Sequence, residues 1–423
     1  MAPVPGSSAA ICCGFAAVAG CTAFLVACGG GGGGGQAGAP AAAPAPAPSP
    51  APLALGIPNA SGSGSLPAAA NNVLRVQFDR GVRGTAFNTP YVTITVCIPG
   101  SNICRDIDHV LVDTGSWGLR LLAGAIPTEL ALPAVRTGSG AAAGQCVQFA
   151  SGYTWGAVRT ADVRLSSQSI ADLPVQVIAD PDPAFVSAPA QCSSPGTDLG
   201  ARLDANGVLG VGMLRYDCGP ACTTSTTPGI YFACTAQGCT PATLPLRQQV
   251  VNPVAMLATH NNGAALVVQQ VPAGGATTLE GALVLGIGTS DNNQLGAAQV
   301  LAMDSRYQLT TLYKGRRYPT TIDTGANALF IPDGELPVCG ALFCPPQRTT
   351  LQAQLQSPSG AQRDVTLAVE ALATLAPGAV AGNLGQSDAA AVTLGLPFFF
   401  GRTVFVALKD AATPAGPGPY WAF

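Results

Sequence analysis

The chain has 423 residues, of which 48% are hydrophobic and only 10% are charged. Its formal net charge of −3 and the even scatter of its 19 Lys and Arg residues leave no basic face, which argues against nucleic acid as the main partner. After a biased N-terminal segment, the remaining length is enough for two lobes of ordinary size, each with its own core.

The first residues have the composition of an export signal. Residues 9–27 are almost all apolar or small, and they end in the small residues and cysteine of a lipoprotein cleavage site. We therefore predict a lipoprotein signal peptide over residues 1–27 and a lipid on Cys28, which would anchor the exported chain to the bacterial membrane. The glycine after Cys28 favours the outer membrane, facing the periplasm or the cell surface. Because the first ten residues lack Lys and Arg, a single anchoring helix is the alternative.

Residues 28–70 are a predicted disordered tether rich in Gly, Ala and Pro. Seven glycines follow Cys28, and an Ala/Pro/Ser run then continues to about Pro67 with nothing in it that could pack a core. A Pro-rich spacer extends by about 3.1 Å per residue, so some thirty residues would hold the folded part up to roughly 90 Å from a membrane. Folded structure and function are therefore expected after residue 70.

From Val73 onward the pattern predicts a mostly β fold. Short runs rich in Val, Thr, Ile, Phe and Tyr are broken about every ten residues by Gly, Pro, Asn or Asp. We expect one β lobe over residues 71–248 and a second over residues 249–423. Helix is sparse, and the one candidate is residues 252–260, which precede an Asn-Asn-Gly stop signal. The main predicted strands are residues 73–78, 91–98, 109–112 and 207–210 in the first lobe, and residues 282–286, 298–303, 307–312, 318–322 and 392–395 in the second.

Two copies of one short motif lie at the ends of predicted strands. Asp113 and Asp323 each begin an Asp-Thr-Gly triplet that follows an apolar residue and precedes a small one. Such a turn suits a reactive carboxylate, because Gly allows close approach of another backbone and Thr supplies a hydroxyl that can lock the loop. One triplet alone is usually a plain turn, whereas two in matched surroundings favour a pair of facing carboxylates. The supporting loop residues are Thr114, Gly115 and Ser116 in the first copy and Thr324, Gly325 and Ala326 in the second.

Ten cysteines follow Cys28, an even number that predicts disulfide bonds in an exported chain. The first two flank a Pro-Gly turn that could close a hairpin, and the last two could staple a small loop. The group between residues 218 and 239 could pair in three ways. Zinc is the rival interpretation of that group, but no His lies near it and its spacings are Cys-x3-Cys and Cys-x4-Cys, so we expect no metal. The ten candidates are Cys97, Cys104, Cys146, Cys192, Cys218, Cys222, Cys234, Cys239, Cys339 and Cys344.

These residues together resemble the pepsin-like aspartic proteases, in which each of two β lobes gives one Asp-Thr-Gly loop to a cleft between them. The resemblance covers nearly all of residues 72–423 and implies a bilobal fold with two β lobes related by a pseudo-twofold axis. The chain also resembles an uncharacterised family of exported bacterial lipoproteins. The matching segments, in chain order, are residues 88–94 (opening strand), 206–212 (strand bracing the first loop), 252–257 (interlobe helix), 283–287 (strand opening the second lobe), and 393–399 with 403–406 (closing strand and hairpin).

Two departures from that family concern its flap, a hairpin that covers the cleft about forty residues after the first aspartate and presents a tyrosine to substrate. The best match here is residues 147–156, which place Phe149 at the tyrosine position, so the hydroxyl is missing. Either Tyr153 or Trp155 would supply a hydrogen bond from a neighbouring position, or the flap only covers bound substrate. Seven residues after the first aspartate, where the family often has a tryptophan, the chain has Arg120.

The resemblance implies that Asp113 and Asp323 are catalytic and share one proton, because two carboxylates a few ångströms apart cannot both ionise cheaply. The ionised member would take a proton from a water that attacks a peptide carbonyl, while the protonated member donates to the developing oxyanion. Thr114 and Thr324 would bond across the pseudo-twofold axis. Ser116 would give the first aspartate a hydroxyl that the second loop lacks, which would make the two carboxyl groups inequivalent.

We therefore expect a membrane-tethered, monomeric aspartic endopeptidase that needs no cofactor and acts on peptide or unfolded-protein substrates. The alternative keeps the fold without the chemistry and is an exported binding or scaffold protein whose cleft holds peptide or polymer. The sequence offers little support for a Ser-His-Asp triad. His109 and His260 are the only histidines, and both are expected to be structural or exposed. Asp106 and Asp108 beside His109 are expected to form a solvated turn rather than a metal site.

Overall fold

The computed structural model describes residues 66–194 and 196–423, and these residues are mostly β, as the alternating pattern predicted. Cys28, the predicted signal peptide and the predicted tether up to residue 65 lie outside the described residues. No helix within the described part of the chain has the length and apolar character that crossing a bilayer requires.

Short strands dominate both halves of the chain. The first-half strands are β1 Val73–Phe78, β2 Tyr91–Cys97, β3 Cys104–Asp113, β4 Trp117–Leu122, β5 Ala142–Phe149, β6 Gly152–Leu165, β7 Gln168–Ile178, β8 Gly207–Val211, β9 Tyr231–Thr235 and β10 Gly238–Pro241. The second-half strands are β11 Gly263–Val268, β12 Leu279–Leu285, β13 Val300–Ala302, β14 Leu309–Tyr313, β15 Arg316–Ile322, β16 Leu329–Ile331, β17 Val338–Cys339, β18 Leu342–Phe343, β19 Thr349–Gln356, β20 Gln362–Val369, β21 Gly385–Ser387, β22 Val392–Leu394, β23 Thr403–Ala407 and β24 Tyr420–Ala422.

Helical structure is limited to single turns among the described residues. The α-helices are α1 Ala190–Ser193 and α2 Ala221–Thr224, and the 3-10 turns are Ala123–Ala125, Pro183–Phe185, Leu246–Gln248, Pro253–Met256, Asp291–Asn293, Leu372–Thr374 and Leu396–Phe399.

The helix expected over residues 252–260 was wrong in extent. Only Pro253–Met256 forms a turn, which Asn252 caps by accepting a hydrogen bond from the backbone N–H of Val254 at 3.0 Å. His260 has a φ of 58°, in the left-handed region that no α-helix continues through. The apolar spacing in this segment therefore reflects burial of a loop against the core rather than a helix face.

The two halves repeat one strand order around the Asp-Thr-Gly loops. In the first half the order β7-β4-β8-β3-β2 pairs β3 with β8 and β4 with β7 in parallel, while β4 and β8 are antiparallel. In the second half the order β21-β16-β22-β15-β14 pairs β15 with β22 and β16 with β21 in parallel, while β16 and β22 are antiparallel. The chain therefore carries the same supersecondary unit twice, once for each aspartate.

One sheet joins strands from both halves of the chain. Strand β1 pairs with β12 over six residues, from Val73 opposite Val284 to Phe78 opposite Leu279, and β12 continues through β11 and β23 to β24. The first strand of the first half is therefore built into a sheet of second-half strands. A lobe boundary near residue 249 remains a prediction, since this shared sheet crosses it.

The described cysteines form five disulfide bonds. The predicted closures of Cys97 with Cys104 and of Cys339 with Cys344 are both present. Within the group at residues 218–239, each cysteine bonds to its nearest neighbour in sequence, giving Cys218–Cys222 and Cys234–Cys239. The fifth bond, Cys146–Cys192, joins residues 46 positions apart, a pairing that no local spacing could indicate. Because such bonds persist in oxidising compartments, they indicate an exported protein.

Candidate active site

Each aspartate lies at the end of a strand that a parallel neighbour braces. Asp113 ends β3 and pairs with Gly210 of β8, and Asp323 follows β15 and donates its backbone N–H to the carbonyl of Leu394 in β22 at 3.0 Å. A Cβ at Gly210 would lie 2.6 Å from the backbone of Trp117, and one at Gly395 would lie 2.1 Å from the carbonyl oxygen of Ala328. Both apolar-Gly strands thus use glycine to let the loop backbone pass closely.

Reciprocal hydrogen bonds join the two loops. The backbone N–H of Thr114 donates to the hydroxyl of Thr324 at 3.0 Å, and the backbone N–H of Thr324 donates to the hydroxyl of Thr114 at 3.0 Å. The hydroxyl of Thr324 in turn donates to the carbonyl of Val112 at 2.6 Å, and that of Thr114 to the carbonyl of Ile322 at 3.4 Å. All four bonds are buried, where unmet polar groups are costly, so the two loops are held in one geometry.

This arrangement brings the two aspartates together. Both side chains are buried, with Asp113 at 0% and Asp323 at 1% exposure, and their carboxyl groups are hydrogen-bonding neighbours. Gly115 is the residue that permits the approach, because a Cβ there would lie 2.5 Å from the Cγ of Asp323. Any side chain at Gly115 would therefore push the second carboxyl group away from the first.

The two carboxyl groups have unequal surroundings. Asp113 accepts hydrogen bonds from the Gly115 N–H at 2.8 Å and from the Ser116 hydroxyl at 2.5 Å. Asp323 accepts from the Gly325 N–H at 2.8 Å, but its Oδ2 has no hydrogen-bond partner among the described residues. Ala326, at the position equivalent to Ser116, has no hydroxyl to offer.

The unequal surroundings shift the pKa values of the two carboxyl groups to different extents. Burial raises the pKa of Asp323 well above its usual range, and the neighbouring charge of Asp113 raises it further. Burial also raises the pKa of Asp113, but hydrogen bonds from Ser116, Asp323 and Gly115 and the charge of Arg120 oppose that rise. The surroundings therefore favour the ionised form more strongly at Asp113 than at Asp323.

The hairpin that the pepsin-like resemblance predicts to be a flap is formed by β5 and β6. Phe149 pairs with Gly152 across its turn. Phe149 packs with Val147 and Leu199 and is 9% exposed. Trp155 does not offer its N–H to the cleft, because that group donates to the carbonyl of Phe185 at 2.9 Å. Tyr153 packs in the same apolar cluster as Trp155, and burial and the charge of Asp198 raise its phenol pKa. Because its N–H is used within the hairpin's own cluster, Trp155 does not replace the missing tyrosine hydroxyl.

The hairpin is anchored along its length. Cys146 of β5 is disulfide-bonded to Cys192 of α1, and the side-chain amide of Gln148 donates to the carbonyl of Cys192 at 2.7 Å. The backbone of Tyr153 exchanges hydrogen bonds with residues 197 and 199, each at 2.8 Å. On its other edge β5 pairs with β9. This hairpin is therefore part of a wider sheet, not a free arm.

A cavity of about 680 Å³ opens beside the second loop. Thr324 and Gly325 line it on that side, and its walls mix aliphatic side chains, Leu111 and Leu384 among them, with polar ones. Asn88 lines the same cavity and lies in the segment that resembles the opening strand of the pepsin-like family. Its amide donates to the carbonyls of residues 327 and 382 at 2.7 and 2.8 Å, tying the first half of the chain to the second. The cavity is lined by Arg80 and Arg202 as well, two exposed cationic side chains.

A buried polar network behind the first loop was not foreseen from the sequence. Arg120 is 1% exposed and donates to the carbonyls of Trp117 at 2.9 Å and Gly118 at 3.3 Å. Asp217 accepts from the hydroxyl of Tyr231 at 2.7 Å and from the side-chain amide of Gln145. Burial raises the pKa of Asp217 to about 6, against the opposing charge of Arg120. A single aspartate in a Tyr-Asp-Cys loop carries no sequence signal that would have marked it.

The remaining sequence candidates have structural partners. His109 lies 3.0 Å from a carboxylate oxygen of Asp79 and 3.3 Å from one of Asp108, and Nδ1 of His260 lies 2.6 Å from the hydroxyl of Thr289. Across residues 66–194 and 196–423, no three His, Cys, Asp or Glu side chains are grouped as a metal ion would require.

The family described as "Protein of unknown function (DUF3443)" matches residues 68–423, which include both loops, the hairpin and the cavity. The chain belongs to the DUF3443 family. The curated proteins include none that matches it. In this DUF3443 chain the match runs from residue 68 to residue 423, so the candidate site lies wholly within the matched range.

We predict that Thr324→Val in this DUF3443 protein destabilises the fold by about 2–4 kcal/mol. Valine matches threonine in shape but removes the acceptor for the Thr114 N–H and the donor to the Val112 carbonyl, leaving two buried polar groups unmet. Urea denaturation with the disulfides intact measures the change. Thr324→Ser, which keeps the hydroxyl, is the matched control and should lose less than about half as much. Equal stability of the valine variant and the parent would contradict the role given to these bonds.

We also predict a pH-dependent effect of Asp217→Asn. Because the pKa of Asp217 is raised to about 6 from 3.8, its carboxyl ionises more readily in the unfolded chain. The protonated carboxyl of Asp217 therefore contributes to the free energy of unfolding in full below about pH 4. This contribution is lost as pH rises through about 6, by about 3 kcal/mol in total. The asparagine variant lacks this loss, so its unfolding free energy relative to the parent should rise by most of that amount between pH 4 and pH 7.

The control for this measurement is Asp364→Asn, which changes an exposed aspartate. It should follow the parent at every pH. If the Asp217→Asn and parent curves run parallel from pH 4 to pH 7, the carboxyl of Asp217 is not desolvated as described.

Proposed function

We propose that this DUF3443 protein is an exported aspartic endopeptidase with a bilobal, pepsin-like fold whose two β lobes are related by a pseudo-twofold axis. The observation that carries the proposal is the contact between two buried carboxyl groups on loops that bond reciprocally through Thr114 and Thr324. Two carboxyl groups at a buried contact are expensive to maintain unless one stays protonated. Such a pair is the arrangement that acid–base activation of a water requires.

In the proposed reaction the ionised carboxylate of Asp113 accepts a proton from a water molecule while the water oxygen attacks the carbonyl carbon of a peptide bond. The proton on Asp323 passes to the carbonyl oxygen as that oxygen gains charge, giving a neutral tetrahedral diol. Collapse of the diol breaks the C–N bond. Asp113 then returns its proton to the leaving nitrogen, and Asp323 regains its proton from the diol. Neither a covalent intermediate nor a metal takes part.

The cavity beside Gly325 supports a peptide as the substrate class. Its mixed aliphatic and polar lining suits a peptide side chain next to the cleaved bond, and its contact with Thr324 and Gly325 puts it next to the loop that carries Asp323. A substrate that fills this cavity while its cleaved bond lies at the carboxyl pair would need an extended backbone. Unfolded proteins and peptides supply such a backbone, whereas folded domains do not.

The proposed location is the cell envelope. Five disulfide bonds suit an oxidising compartment. A lipid on Cys28 and a Gly/Ala/Pro-rich tether would then hold a monomeric protease at the bacterial membrane, in the periplasm or at the cell surface.

A second candidate function is an exported binding protein that uses the same cleft without chemistry. The specific observation in its favour is the anchored hairpin, because the Cys146–Cys192 bond restrains a segment that would otherwise open and close over substrate. Phe149 in place of a tyrosine removes one polar contact to a bound peptide. Such a protein would hold peptide or polymer and release it unchanged.

We predict that the parent cleaves an unfolded protein at acidic pH and that Asp113→Asn lowers the rate at least about 10²-fold, the usual contribution of a general base. Activity should fall as pH rises through the pKa of Asp323, which loses its proton, and fall again below that of Asp113. The measurement is product formation from pH 3 to pH 7, with circular dichroism confirming that the variant is folded.

Exposed Asp364→Asn is the control and should retain parental activity. If the parent and Asp113→Asn are equally inert at every pH while both bind peptide, the binding function replaces the protease. Equal cleavage by both proteins would exclude Asp113 from the chemistry.

A further inference from the structure

Among the described residues, Arg120 is the one buried cation, and it stands where the pepsin-like resemblance leads one to expect a tryptophan. It lies on β4 opposite Val208 of β8, the strand that braces the first loop. Its guanidinium turns back toward that loop and donates to the carbonyls of Trp117 and Gly118. A buried charge of this kind needs compensation from its surroundings.

One neighbour of the guanidinium is the hairpin. The Cζ of Arg120 lies 5.8 Å from the centre of the Phe149 ring, within the range of a cation–π contact. The two departures from the pepsin-like pattern, Arg120 and Phe149, therefore contact each other. The guanidinium of Arg120 packs against the ring of Phe149 at the hairpin tip. This contact takes the place of the hydrogen bond that a tyrosine hydroxyl could have made.

Two carboxyl groups compensate the charge. The charge of Arg120 opposes the burial that raises the pKa of Asp113, and it does the same for Asp217. Asp217 is itself tied to the hairpin strand β5 through the amide of Gln145 and to β9 through the hydroxyl of Tyr231. Arg120 is thus linked to the hairpin strand β5 in two ways. It contacts Phe149 directly, and it is linked indirectly through Asp217.

We propose that Arg120 is a positioning residue of the site, which holds the ring of Phe149 and the hairpin that carries it, and which fixes a buried positive charge against the first Asp-Thr-Gly loop. This inference rests on the proposed function and deepens it. The titratable groups on which its charge acts are Asp113 on the first loop, Asp217 and Tyr231, and it also contacts the ring of Phe149. A guanidinium that only satisfied the Trp117 and Gly118 carbonyls would leave both the pair and the hairpin unaffected.

The test compares Arg120→Gln, Arg120→Lys and Phe149→Leu in the full chain. Glutamine keeps a donor for the backbone carbonyls but removes the charge, lysine keeps the charge, and leucine removes only the ring. Carboxyl-carbon NMR of aspartates labelled with carbon-13 follows the titration of the pair, and peptide hydrolysis gives kcat and KM. Arg215→Met is the matched control, because Arg215 is an exposed arginine that also contacts a ring, that of Tyr216, with its Cζ 5.6 Å from the ring centre.

We expect Arg120→Gln to raise the lower apparent pKa of the pair, because the opposing positive charge is lost, and to raise KM several-fold. Arg120→Lys should leave the titration of the pair near that of the parent, and Phe149→Leu should raise KM several-fold without moving the titration. If Arg120→Gln matches the Arg215→Met control in both the titration and KM, the proposal is wrong.

Two outcomes separate this inference from the proposed function. If Arg120→Gln does not fold, Phe149→Leu still tests the hairpin contact, and an unchanged KM in that variant would overturn it. If the parent cleaves no peptide at any pH, the protease proposal fails. The NMR titration then decides the role of Arg120 alone, since a raised lower pKa supports it and an unchanged one overturns it.

Discussion

The exchange of hydrogen bonds between Thr114 and Thr324 is the constraint on which the rest of the site depends. Each threonine gives its backbone N–H to the other's hydroxyl, so neither loop can move without leaving a buried polar group unmet. The repeated strand order on either side delivers the two loops to one point. The close approach of Gly115 to the second carboxyl group then follows from the same geometry.

The two halves repeat one backbone plan but differ in the side chains that surround the carboxyl groups. Ser116 donates a hydrogen bond to the first aspartate, whereas Ala326 has no hydroxyl to offer the second, and the charge of Arg120 opposes the rise in the pKa of Asp113. The structure therefore combines a repeated frame with an asymmetric charge distribution. The same asymmetry extends outward, because Arg120 also contacts the hairpin.

Much of the frame could be read from the sequence, because the signals were local. Strand periodicity placed Val73–Phe78 correctly, and the two Asp-Thr-Gly triplets and the apolar-Gly segments lie where strand ends and parallel neighbours require them. Local spacing also indicated two of the disulfide bonds. The helix at residues 252–260 was wrong, because apolar spacing in a short segment does not distinguish a helix face from a buried loop.

What could not be predicted depends on contacts between distant residues. The partner of Cys146, the use of the Trp155 N–H within the hairpin's own cluster, and the network of Asp217 with Gln145 are all set by tertiary packing. Arg120 was visible in the sequence as a departure, but its contact with Phe149 was not. In the sequence these two positions are separate departures from the pepsin-like pattern, whereas the fold places one side chain against the other.

We expect Asp113 and Asp323 to hold one proton between them, on Asp323. Neutron diffraction from a deuterium-exchanged crystal of the parent near pH 5 would locate it directly. The expected result is carboxyl oxygens within hydrogen-bonding distance and a single deuteron bound to Asp323. Carboxyl groups beyond hydrogen-bonding distance, or two deuterons or none on the pair, would contradict it.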